Sequence, residues 1–123
     1  MTLKVLFVDD DELILRVVAR LMDRARFECH FTSDPLEVPR LAAEHRVDVV
    51  VVDGVMPTLA GVEVLAQVKA LNPKIVRILF TGRVDLLSAK TMPPGLVDHF
   101  VAKPWTDDAL AEVLGRVAVE ERW

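Results

Sequence analysis

The stretch Val47-Asp48-Val49-Val50-Val51-Val52-Asp53 decides the fold. The run Val47–Val52 is almost continuously apolar and β-branched rather than alternating, so as a strand it must be covered on both faces. That is the situation of a parallel sheet sandwiched between helices. Three other runs share this character: Leu3–Val8, Ile75–Phe80 and Leu96–Ala102. A weaker one, Phe27–Thr32, alternates more and is predicted to be an edge strand.

Each of the four strong runs is followed by polar chemistry. Asp9-Asp10 come after the first, Asp53 after the second, Thr81 after the third and Lys103-Pro104 after the fourth. Groups beyond the carboxyl ends of parallel strands converge in space, so these residues are expected to build one site.

Segments of helical period lie between the strands. Ile14, Val17, Val18, Leu21 and Met22 form one stripe, and Leu110, Val113, Leu114, Val117 and Ala118 another. The latter helix is expected to start at Thr106 as N-cap, with Asp107 and Asp108 in its first turn, where the helix dipole favours acids. A helix from about Gly61 to Leu71 ends before Asn72-Pro73. Asp34-Pro35-Leu36-Glu37 resembles a helix start, yet Pro39 falls where that helix would need an interior N–H, so regular helix is predicted only from about Val38. A short helix from Val84 to Thr91 is stopped by Met92-Pro93-Pro94-Gly95. Strand and helix thus alternate five times, which with right-handed crossovers gives a layered α/β domain.

At 123 residues the chain has the size of one domain, predicted to span 1–123, and its core must be aliphatic because only 6% of residues are aromatic. A net charge of −4 without any run of Lys and Arg argues against direct nucleic-acid binding. The single Cys29 excludes an internal disulfide, and no Cys/His spacing suggests zinc. Cys29 beside His30 is read as a structural thiol, and His45 as a solvated residue at a helix end. No signal-peptide pattern or membrane-length apolar run occurs, so a cytoplasmic protein without membrane contact is expected. The chain stops within or just after its fifth helix, so any output domain is expected to be missing or never to have existed.

Asp9, Asp10 and Asp53 are hard oxygen ligands at the ends of strands that the topology makes neighbours. Such carboxylates repel one another unless a cation lies between them, and Mg²⁺ takes one or two carboxylates while keeping waters for a phosphate. Lys103 and Thr81 add a compact cation and a hydroxyl donor suited to phosphoryl oxygens. Alone, Asp9-Asp10-Asp11-Glu12 would read equally well as a solvated acidic helix start, and Asp53-Gly54 as a turn.

VLFVDDD, VVVVDGVMP, ILFTGR and FVAKPW, in that order, resemble the receiver domain of two-component response regulators along the whole chain. The neighbourhood FTGRVDLLSA and FVAKPW is most similar to receivers linked to cyclic-dinucleotide phosphodiesterase or hydrogenase-regulator outputs. The resemblance implies a flavodoxin-like, doubly wound (βα)5 sheet of strand order 2-1-3-4-5. It implies that Asp53 accepts a phosphoryl group from a sensor histidine kinase or histidine phosphotransfer protein, and that Asp9, Asp10, Asp53 and the carbonyl of Val55 hold Mg²⁺. Thr81 and Lys103 would bind the phosphoryl oxygens, and Pro104 would follow a cis peptide. The same resemblance pairs Thr81 with Phe100 as a switch of the face formed by the fourth helix, fifth strand and fifth helix, which then acts on an output domain or a second copy. Phe100 lacks a hydroxyl to solvate, so an inward bias is expected even without phosphate.

Val55 cannot donate to the phosphoryl group, whereas Arg83 could reach it, and both are expected to modulate the lifetime of the acyl phosphate. Two rivals remain. One is a haloacid-dehalogenase-like phosphatase, disfavoured because Val55 stands where that family wants a second Asp. The other is a pseudo-receiver that binds without phosphorylation, disfavoured by Asp10, Asp53, Thr81 and Lys103. On either receiver reading the chain is not a turnover enzyme.

Overall fold

The computed structural model describes residues 3–22, 27–53, 61–81, 95–102 and 114–116. Five strands, β1 (Leu3–Val8), β2 (Phe27–Thr32), β3 (Val49–Asp53), β4 (Val76–Thr81) and β5 (His99–Ala102), form one sheet in the order β2-β1-β3-β4-β5. Every pairing is parallel. The strand order implied by the resemblance is therefore the one observed, and β2, the alternating run, is an edge.

Helices α1 (Glu12–Met22), α2 (Val38–Glu44) and α3 (Gly61–Leu71) cover the sheet. Side chains of successive strand residues point to opposite faces, and both faces of the central strands are covered. On one, Val5, Phe7, Val51 and Ile78 pack with Leu15 and Val18 of α1 and with Leu114, which lies in a helical turn inside the fifth helix expected from sequence. On the other, Leu6, Val8, Val50, Val52 and Leu79 pack with Val38 and Ala42 of α2 and with Val64, Leu65 and Val68 of α3. All of β3 is buried, as its unbroken valines require. The helix expected over Val84 to Thr91 and the start of the last helix at Thr106 lie outside the described residues.

The α2 segment resolves the conflict posed by Pro39. Residues Pro35–Glu37 form a 3₁₀ turn capped by Asp34, whose carboxylate accepts from the Leu36 amide at 3.0 Å. The α-helix then begins at Val38, so Pro39 falls in its first turn, where no intrahelical N–H is needed. Arg40 pairs with Glu37 and Glu44, both at 2.9 Å, on the exposed face. Such pairs contribute about 0.5 kcal/mol each at most, so burial of Val38 and Ala42 is what docks the helix.

α2 ends in a Schellman turn: the Val47 amide donates to Ala42 O and the Arg46 amide to Ala43 O. Arg46 carries the left-handed backbone this requires, with φ 51°. A side chain in that region is strained, so Arg46→Gly is expected to stabilise the protein by about 0.5–1 kcal/mol, read as a higher urea midpoint at unchanged slope. His45, the C-cap residue, is half-buried rather than solvated. Its ring stacks on His30 of β2 at 3.8 Å and 18°, and His30 Nε2 lies 3.0 Å from Glu28 Oε2. That hydrogen bond holds Glu28 below its ordinary pKa.

Cys29 faces away from His30, packed with Phe27 and Phe31 on the α1 side, so the adjacent pair cannot share a metal. Burial pushes its thiol up to about 11, with Glu28 adding to the shift. A thiol raised from 9.0 to about 11 carries about a hundredfold less thiolate at pH 8, the nucleophilic form. Native Cys29 should therefore alkylate about a hundredfold more slowly than in the urea-unfolded chain. The neutral thiol is the form the fold favours, so stability contributed here is lost as pH rises above 9.

Three strands start later than their apolar runs. Asp48, just before β3, donates its amide to Lys4 O at 2.8 Å and accepts the Lys4 amide on its carboxylate at 2.9 Å. Asp98, just before β5, repeats this with Arg77: its amide donates to Arg77 O at 2.8 Å and its carboxylate accepts the Arg77 amide at 2.8 Å. Ile75 uses its amide to close a turn onto Asn72 O, and β4 begins at Val76. Side-chain and turn bonds, invisible to hydropathy, occupy what the apolar runs offered to the ladder.

Candidate functional site

The carboxyl ends of β1 and β3, adjacent strands, bring three carboxylates together. One ligand oxygen from each of Asp9, Asp10 and Asp53 lies within 4.8 Å of the others. Asp9 is 1% exposed and Asp53 6%, whereas Asp10 is open to solvent. Asp9 is fixed from two sides: its amide donates to Thr32 O at 3.2 Å, and its Oδ1 accepts from the Asp11 amide at 2.9 Å.

The acidic tetrad divides its labour in a way its spacing alone leaves open. Asp11 accepts from the Leu13 amide at 2.9 Å and caps α1, and Glu12 occupies the first turn. Asp9 and Asp10 turn instead toward Asp53. The helix-start reading and the cluster reading of this stretch are thus both true, of different residues. Thr81 is the last residue of β4 and pairs with Ala102 of β5, while Asp53 pairs with Phe80. Val55, Arg83, Lys103 and Pro104 lie outside the described residues.

Phe100 is 39% exposed, which corrects the expectation of an inward-turned ring. On edge strand β5 it points to the face opposite buried Val101, and among the described strands it pairs across with Leu79 of β4. The missing hydroxyl does not by itself draw the ring in, since singly exposed aromatics are tolerated at protein surfaces.

Three oxygen donors so close, two of them buried, fit a hard divalent cation of the Mg²⁺ class, which takes carboxylate oxygens and retains waters. Like charges at this spacing cost energy that such a cation removes.

The family model for the response regulator receiver domain matches residues 5–115. The chain belongs to this family. Among relatives, the receiver is 34% identical over 118 residues to the hydrogenase transcriptional regulatory protein HoxA of Cupriavidus necator, covering 94% of this chain and 24% of HoxA. It is 31% identical over 114 residues to the transcriptional regulatory protein PrrA of Mycobacterium tuberculosis, covering 93% of this chain and 48% of PrrA. The receiver therefore spans about half the length of the mycobacterial response regulators it matches, and less of HoxA. Among solved structures, the signal receiver domain of an HD domain-containing protein from Pseudomonas fluorescens Pf-5 superposes with TM-score 0.88 at 30% identity, covering 98% of this chain and 90% of the other. The receiver domain of the Pseudomonas aeruginosa sensor kinase PA1611, described with magnesium in its active-site cleft, shares the fold at TM-score 0.81 and 19% identity, covering 94% and 97%.

Arg77 is a residue that the sequence reading passed over. It interrupts the apolar run KIVRILF, and a charge in a strand covered on both faces is the signal that could have found it.

Proposed function

We propose that Asp53 accepts a phosphoryl group from the phosphohistidine of a sensor kinase or histidine phosphotransfer protein, and that the modified domain alters its association with a partner. The observation that carries this reading is the approach of Asp9, Asp10 and Asp53 to within 4.8 Å at the ends of β1 and β3. A carboxylate oxygen of Asp53 attacks phosphorus, the P–N bond to the histidine breaks, and the imidazole leaves with its electron pair. Asp9, Asp10 and Asp53, with the Val55 carbonyl, would hold Mg²⁺, which when bound neutralises charge on the phosphoryl oxygens. Lys103 balances a further charge, and the Thr81 hydroxyl donates to a phosphoryl oxygen. Asp11 and Thr32 hold Asp9 in place throughout.

Catalysis here is positioning and charge neutralisation on the chain's own carboxylate, with hydrolysis as the return step. Arg83 and Val55 set how fast water gains access. Thr81, drawn to the phosphate, passes the event to Phe100, whose ring, exposed here, then turns inward. The readout is an output domain, as the transcriptional regulators among the relatives suggest, or a second copy.

Incubation with acetyl phosphate and Mg²⁺ should add one phosphoryl mass to the wild type and none to Asp53→Ala. Absence of uptake in the wild type, with beryllofluoride also failing to bind, would leave a pseudo-receiver. Sustained turnover of small phosphate esters would point instead to a phosphatase.

A further inference from the structure

β5 is four residues long and lies at the sheet edge, pairing among the described residues only with β4. Of its described side chains Val101 alone is buried, at 5%, while Phe100 is 39% exposed. A strand with one buried residue specifies its register weakly, and a slip by one position exchanges inward and outward side chains. Something besides hydrophobic pattern must therefore place Phe100.

The Arg77 side chain, 4% exposed, reaches from β4 under the start of β5. Its Nε donates to Leu96 O at 2.7 Å and Nη2 to Gly95 O at 3.1 Å, both on the segment that leads into β5. Nη1 donates to Ile75 O at 2.9 Å and Pro73 O at 3.2 Å, anchoring the same guanidinium to the segment before β4. Asp98 completes the arrangement, its carboxylate 3.7 Å from Nη2 and bonded to the Arg77 amide at 2.8 Å. The planar fork ties the two strand entries to a single group at fixed spacing, which an ammonium could not do.

We infer that Arg77 is a positioning residue that sets the β4–β5 register and so determines that Phe100, rather than Val101, is presented on the exposed face. Its importance for signalling rests on the proposed role of Phe100; the register itself does not. A slipped β5 would turn Val101 outward and carry the ring to the opposite face, beside Ile78 or Phe80. The face that responds to phosphorylation would then carry the wrong side chain.

The test uses the full chain with Cys29→Ser and a single thiol introduced by Phe100→Cys or Val101→Cys. With Arg77 intact, the thiol at 100 should alkylate at least roughly tenfold faster than the one at 101, in line with their exposures. In Arg77→Met and Asp98→Ala that ratio should collapse toward unity or invert, and in Arg77→Lys it should fall part of the way. Amide exchange in β1 and β3 should be unchanged. A ratio that stays constant while the denaturation midpoint drops would reduce Arg77 to a stabilising residue and overturn the inference. Should Arg77→Met fail to fold by circular dichroism, Arg77→Lys and Asp98→Ala carry the same comparison. Acetyl phosphate uptake is measured on the Cys29→Ser chain in parallel. A register that depends on Arg77 without phosphorylation of Asp53 sinks the switch and leaves the clamp, whereas phosphorylation with an invariant ratio does the reverse.

Discussion

Asp10→Asn is expected to stabilise the metal-free protein by about 1 kcal/mol while weakening Mg²⁺ binding at least roughly tenfold. Carboxylate oxygens within 4.8 Å of one another repel by about 1 kcal/mol or more per pair in a watery dielectric, and by more still where solvent is excluded. Asp10 is exposed and is the member of the cluster whose neutralisation disturbs the core least, so the relief of charge should dominate over any lost contact. With Mg²⁺ present the order reverses. A ligand at a hundred times its dissociation constant adds about 2.7 kcal/mol to the native state. The wild type gains this increment and the variant, with weaker binding, gains less. Urea unfolding with and without Mg²⁺ measures both effects, and equal Mg²⁺-induced shifts in the two proteins would remove Asp10 from the metal site.

Phe7→Ala should be the more damaging change, costing about 3–5 kcal/mol of stability. Phe7 is 1% exposed on β1, the strand flanked by β2 and β3, and its ring stacks on Phe31 at 5.4 Å and 14°. Truncation removes the transfer energy of the ring, forfeits an aromatic pair worth about 0.5–1.5 kcal/mol, and leaves a void between a rigid sheet and α1. The sheet cannot close over it, because Phe7 is hydrogen-bonded in register with Phe31 on one side and Val51 on the other. A domain of this size has about 5–15 kcal/mol in total, so the variant should unfold at markedly lower urea with an unchanged slope. A loss below about 1 kcal/mol would mean that α1 moves in to fill the space.

Hydropathy made the central strands legible because burial on two faces leaves no freedom to alternate. β2 was readable for the opposite reason, since an edge strand keeps a partly wet face. Pro39 marked the start of α2 because a proline nitrogen has no proton for the helix interior. The strand starts were not readable: Asp48, Asp98 and Arg77 act through side chain-to-backbone bonds between segments distant in sequence, and no local pattern encodes those partners. The stacking of His30 on His45 escaped for the same reason. At the site, Asp9, Asp10 and Asp53 were legible as strand-end residues, but the diversion of Asp11 to cap α1 needed the local geometry. The orientation of Phe100 was misjudged because side-chain chemistry was weighed without the edge position of β5.

The paired bonds that Asp48 makes with Lys4, and Asp98 with Arg77, lie at the amino ends of the strands, while the acidic cluster lies at the carboxyl ends. Along β3 that separation is roughly 15 Å at ~3.3 Å per residue. Alignment and chemistry are thereby assigned to opposite rims of one sheet. Loops on the acidic rim can vary in length and sequence, retuning partner choice or acyl-phosphate lifetime, without loosening the rivets that keep the strands in step.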